Sequence, residues 1–97
     1  MYLEIVSPEA TLFSSEVDSV VVPGVKGEFE MLNNHAPIVS TLKEGTVRIK
    51  VHTQTHIVYD ELHSDIEPHF EDQKVLTLNI KSGTVESKDN KVIVLAD

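Results

Sequence analysis

The sequence predicts an all-β domain: an antiparallel β-sandwich or flattened barrel of about eight to ten short strands. Three observations predict it. Apolar residues recur with a period of two in segment after segment, Gly, Pro, Asn and Asp punctuate those segments at short intervals, and no stretch carries a sustained helical period. One domain is expected over residues 1–97, a length that buries a real core but not two of them.

The clearest alternation runs from Thr46 to His52. Val47, Ile49 and Val51 fall on one face and Thr46, Arg48, Lys50 and His52 on the other, the pattern of a half-buried strand. Leu3 and Ile5 mark a strand closed by Ser7-Pro8. Val17–Val22 reads as another, stopped by Pro23-Gly24, a pair suited to the central positions of a type II turn. The last quarter reads as a meander. Val75–Ile80 places Leu76, Leu78 and Ile80 on one face, and Lys81-Ser82-Gly83 turns the chain into Thr84–Lys88. Asp89-Asn90 then forms a two-residue hairpin loop before Lys91–Leu95. Ser14-Ser15-Glu16-Val17-Asp18 resembles a helix capping box, but the Val-rich run after it lacks helical period. Asp60–Asp72 breaks the alternation with six acids, two histidines and no Lys or Arg. It marks a surface excursion within about residues 53–73.

Composition limits the function. The chain has no cysteine, so neither a disulfide framework nor a thiolate metal site is available. Sixteen acids against eight bases give a net charge of −8, which argues against a nucleic-acid-binding face built on phosphate neutralisation. The segment MYLEIVSPEA has neither the basic nor the apolar region of a signal peptide, and no apolar run approaches the ~20 residues of a membrane-spanning helix. Membrane association is therefore expected only through other proteins. Gly24 and Gly27 lack the Lys and the helix of a phosphate-binding loop. No nucleophile–base pair or carboxylate pair stands out, so no catalytic residue, cofactor or metal is assigned.

Between Val21 and Ile49 the chain reads VVPGVKGEFEMLNNHAPIVSTLKEGTVRI. With Gly27-Glu28, His35-Ala36-Pro37 and Leu42-x-x-Gly45-x-Val47-Arg48-Ile49 in order, it resembles the epsilon subunit of F-type ATP synthases. Leu3–Pro8 and Phe13-Ser14 are similar to that family's first two strands, and Gly83–Glu86 and Val92–Asp97 to its last two. The resemblance covers the chain except Thr53–Gln73. Three departures stand out: Asn34 replaces the family's usual glycine before the histidine, the 53–73 segment is longer, and the match stops where the family's helical hairpin begins. Asparagine tolerates positive φ, so the turn before His35 is expected to survive.

The resemblance implies a non-catalytic central-stalk subunit of a proton- or sodium-translocating complex. It would dock on the gamma subunit and the c-ring at the cytoplasmic face of a bacterial membrane, and couple ring rotation to ATP synthesis. Glu28, with Glu30 beside it, matches the c-ring side; His35, Ser7 and Ser40 match the gamma side. Read from their residue types alone, the two acids are solvated strand carboxylates and His35 a turn histidine bonded to nearby backbone. Pro37 sets the chain's direction into the next strand.

Two other classes of function compete. A free-standing recognition module predicts an aromatic-lined groove, for which only Tyr2, Phe13, Phe29, Tyr59 and Phe70 are available. A metal-dependent hydrolase would draw on His52, His56, His63 and the loop acids, and a composite metal site could add His69. His52 and His56, however, stand about 13 Å apart along a strand, too far for one ion.

Overall fold

The computed structural model describes residues 1–51 and 75–97, with the backbone of Glu67–Pro68. The 53–73 excursion, apart from that backbone, and the four histidines from His52 to His69 lie outside the described residues. Ten strands form among the described residues: β1 (Tyr2–Val6), β2 (Thr11–Glu16), β3 (Ser19–Gly24), β4 (Gly27–Leu32), β5 (Ile38–Leu42), β6 (Gly45–Lys50), β7 (Glu67–Pro68), β8 (Val75–Ile80), β9 (Gly83–Lys88) and β10 (Lys91–Ala96). Hydrogen bonds link them in the order β2-β1-β10-β9-β5-β3-β6-β8-β7, and β4 branches off β3. The join between β5 and β3 is a single residue pair, Leu42 with Gly24. At that corner the sheet folds over, and its two halves face each other as a sandwich.

Alternation decides which side chains fill the space between the halves. Leu3, Ile5, Val85, Val92 and Val94 point inward from one half. Val20, Val22, Met31, Val47, Ile49 and Leu76 meet them from the other, all of them fully buried. The expected strand at Thr46 is present, with Val47, Ile49 and Val51 in the core. β8 likewise buries Leu76, Leu78 and Ile80. Asp89 and Asn90 take φ of 53° and 60°, the doubly left-handed geometry of a tight hairpin. Asn34 also takes positive φ, 61°, so the turn survives the loss of its glycine.

Two expectations are corrected. The sandwich is not wholly antiparallel, because β1 inserts between β2 and β10 and runs parallel to β10. In addition, Pro23-Gly24 is not the turn. β3 continues through both residues, and Val25-Lys26 make the tip, with Gly24 paired to Gly27. The strand extends because Pro23 lies where β3 has left β6 and needs no amide proton. Its carbonyl accepts from Lys43 at 2.9 Å. Gly24 is required by space rather than by dihedral: a Cβ there would stand 2.8 Å from both the Gly27 carbonyl oxygen and the Phe29 ring. The positive φ falls on Gly27, at 127°. The start of this segment shifts as well. Val17 is buried but precedes β3, its N–H bonded to the Met1 carbonyl at 2.8 Å.

Candidate functional site

The outer face of β3, β4 and β6 carries the densest charge pairing among the described residues. Phe29 and Met31 turn inward from β4, which leaves Glu28 and Glu30 facing out. On β6, Val47 and Ile49 turn inward, leaving Arg48 and Lys50 outward. β3 separates the two strands. In the register Val21 stands between Glu30 on one side and Arg48 on the other.

Both ion pairs bridge diagonally over β3. Arg48 donates from Nη1 and Nη2 to the two oxygens of Glu28, each at 3.1 Å, a bidentate fork. Lys50 donates from Nζ to Glu30 Oε2 at 2.9 Å, and Ser19 Oγ donates to the same oxygen at 3.0 Å. Beneath this roof lies Val21, only 7% exposed although it points away from the core that holds Val20 and Val22. The long Arg and Lys stems shield it, and the charges above it sum to zero.

Each charge keeps solvent contact, so the pairs contribute little to stability and much to geometry. The Arg48 fork therefore holds the Glu28 carboxylate in a set direction. Hydrogen bonds from Lys50 and Ser19, with the positive charges of Lys50 and Arg48, hold the Glu30 carboxyl below its ordinary value of 4.5. Lowering favours the charged form in the folded state. The stability it contributes is present above the ordinary value and is lost as pH falls through the lowered one. A carboxyl titration followed by NMR is expected to show Glu30 titrating below 4.5, and Lys50→Ala is expected to move it back up.

The other predicted residues do not form one cluster. His35 lies at the end of the β4–β5 turn, its N–H bonded to the Leu32 carbonyl at 3.1 Å. Its Nδ1 faces the Ala36 carbonyl at 2.7 Å, so Nδ1 carries the proton and Nε2 is the ring's accepting atom when neutral. Ser7 sits at the opposite end of the sandwich, after β1, where it closes the β1–β2 turn. Its N–H reaches the Ala10 carbonyl at 2.8 Å, and its hydroxyl bonds the Ala10 backbone at 3.2 Å in both directions. Ser40 occupies the middle of β5, its hydroxyl 3.4 Å from the Thr41 carbonyl. Three strand steps, roughly 14 Å, separate β5 from β1. The structure thus joins Glu28 and Glu30 on one face and spreads His35, Ser40 and Ser7 along the other half of the sandwich.

Sequence reading did not assign Arg48, Lys50 and Ser19 to the acidic site. The available signal was spacing: acids two apart on one strand and bases two apart on another, both facing out. A cavity of about 460 Å³ opens at the Ser7 end, lined by Leu12, Leu78 and Ile80 among others and by no aromatic ring. That composition does not suit the aromatic-lined groove a recognition module requires.

Among the described residues, then, the all-β sandwich presents one outer face on which two acids are paired with two bases. Residues 1–60 match the family model described as the ATP synthase delta/epsilon chain, β-sandwich domain. The chain is 35% identical over 95 residues to the ATP synthase epsilon chain of Leptospira interrogans serovar copenhageni, covering 98% of this chain and 59% of that one. It is also 35% identical over 97 residues to that of Campylobacter curvus, covering 100% and 60%. A shorter stretch of 49 residues is 51% identical to that of Hyphomonas neptunium, covering 50% of this chain and 36% of that one. A chain in the cryo-EM structure of the Tetrahymena thermophila mitochondrial ATP synthase central stalk and c-ring superposes with a TM-score of 0.68. It is 12% identical and covers 99% of this chain and 62% of that one, a likeness of fold. The chain belongs to the ATP synthase delta/epsilon family and carries its β-sandwich domain. It spans about six-tenths of the length of the full-chain relatives.

Proposed function

We propose that residues 1–97 act as one β-sandwich unit of a non-catalytic central-stalk subunit in a proton- or sodium-translocating F-type ATP synthase. In this reading the unit carries an insertion at about 53–73 and works at the cytoplasmic face of a bacterial membrane, held there by the complex. It docks on the gamma subunit through the His35, Ser40 and Ser7 margin, and on the c-ring through the face of Glu28 and Glu30. The observation that carries this reading is the family match over residues 1–60, which contains all five of these residues.

The physical arrangement supports the division of labour. Coupling rotation needs a body that does not yield under torque, and a sandwich with a continuous buried core is stiff. The Glu28–Arg48 fork holds one carboxylate at a set direction, which favours an oriented contact with a cationic loop. Arg48 and the incoming cation then share Glu28. Docking on that side is accordingly expected to weaken with salt, while the gamma side, which relies on a turn and two hydroxyls, is expected to be less salt-sensitive.

Residues 1–97 contain no cysteine, which makes a cross-linking test available. Single variants Glu28→Cys and His35→Cys, carried in the assembled complex, are expected to give disulfide cross-links to thiols introduced into the c-ring loop and the gamma subunit respectively. Cross-linking with the two partners exchanged, or none from either position, contradicts the proposed docking.

A further inference from the structure

Asn34 and Asn90 both adopt left-handed backbone, with φ of 61° and 60°. Glycine is the ordinary residue for such positions because it lacks a Cβ, yet it contributes nothing beyond its backbone. Here each position carries an amide side chain, and the geometry uses the one on Asn90. Asn90 Oδ1 accepts the backbone N–H of Asn34 at 2.7 Å, and Asn90 Nδ2 donates to Asn33 Oδ1 at 3.0 Å. Its own carbonyl accepts from the Tyr2 N–H at 3.1 Å, which holds the β9–β10 tip against β1.

The two segments so joined lie 56 and 57 residues apart in sequence. One is the tip of the β9–β10 hairpin. The other is the 33–37 link, where the chain crosses from β4 in one half of the sandwich to β5 in the other. That link carries His35, one residue after the clamped amide. Asn33 Oδ1 also accepts from the Met1 nitrogen at 2.7 Å, so it keeps a partner even without Asn90.

We propose that Asn90 is a positioning residue for His35: its side-chain amide clamps the Asn33-Asn34 turn to the β9–β10 hairpin and so presents the histidine in a fixed orientation to the gamma subunit. The inference rests on the gamma-docking reading above. It adds a residue that no motif around His35 contains. Docking onto a preset turn avoids the entropy of ordering that turn at contact, so the clamp acts on affinity through His35 rather than through contact of its own.

The test uses two substitutions. Asn90→Gly keeps the left-handed backbone without steric cost and deletes both amide bonds. Asn90→Asp keeps an acceptor for the Asn34 N–H and loses only the donor to Asn33. Amide hydrogen exchange is expected to quicken about tenfold at Asn34 in Asn90→Gly, with core amides such as that of Ile49 unchanged. Affinity for the purified gamma subunit is expected to fall about fivefold to tenfold in Asn90→Gly and less in Asn90→Asp. In a His35→Ala background the glycine substitution is expected to cost nothing further, a result that general destabilisation does not produce. Equal binding by Asn90→Gly and the unaltered chain overturns the positioning role, as does a full additional loss on top of His35→Ala. An unaltered chain that fails to bind gamma overturns the docking reading and the positioning role with it. Asn34 exchange then reports separately whether the clamp exists.

Discussion

Gly83→Ala is expected to lower the melting temperature by well over ~10 °C, a large loss for the addition of one methyl group. Gly83 opens β9 between two partners, Ala96 on β10 and Leu42 on β5. A Cβ at this position would stand 2.2 Å from the Leu95 carbonyl oxygen, 3.2 Å from its carbonyl carbon and 3.3 Å from the Ala96 Cα. All three are backbone atoms of β10, and no side-chain rotation relieves them. The strands must separate where the β5–β9–β10 ladder is in register. Overpacking costs typically about 1–3 kcal/mol, and a backbone obstacle places this site at the upper end or beyond. Thermal unfolding followed by circular dichroism checks it. A variant melting within a few degrees of the unaltered chain would show that β10 yields easily, contrary to this packing. Gly27 makes the useful contrast: nothing lies within 4 Å of a Cβ there, and any cost of Gly27→Ala comes from its φ of 127° alone.

Leu3→Ala is expected to cost about 2–5 kcal/mol, because it leaves a cavity that a two-layer core closes only in part. Leu3 is 0% exposed and sits on β1 between Ser15 of β2 and Val92 of β10, facing the opposite half of the sandwich. Leu95→Ala is the control. Leu95 belongs to the same half but points outward and is 53% exposed, so its loss is expected to stay within about 0.5 kcal/mol. Urea unfolding of the two variants separates them. Similar losses for both would mean that the inward and outward faces of this half are wrongly assigned.

Where alternation is strict, the sequence is a sufficient guide. Thr46–Val51 and Val75–Ile80 place each side chain on its face because a strand has only two faces and one of them must be buried. Asp89-Asn90 was readable for an equally local reason, the tolerance of both residues for positive φ. Pro23-Gly24 misled because a strong turn pair also suits a strand that has lost its neighbour and passes close to another backbone. Only the positions of Lys43, Phe29 and Gly27 reveal that. The parallel β1–β10 pair escaped because nothing in either strand records which neighbour it takes. The ion pairs over Val21 span 20 residues and the Asn90 clamp spans 56, so their existence depends on register that only the folded chain supplies. Glu28 and Glu30 were legible as an outward pair, but that they are already engaged by Arg48 and Lys50 was not.

The central claim is that this sandwich docks on a gamma subunit through the margin bearing His35, separately from the face bearing Glu28. Its most direct test is co-expression with the gamma subunit of the same organism, followed by size-exclusion chromatography of the unaltered chain, His35→Ala and Glu28→Lys. The account predicts a stable complex that His35→Ala weakens and Glu28→Lys leaves intact. Separate elution of the unaltered chain from a gamma subunit shown to be folded would contradict it.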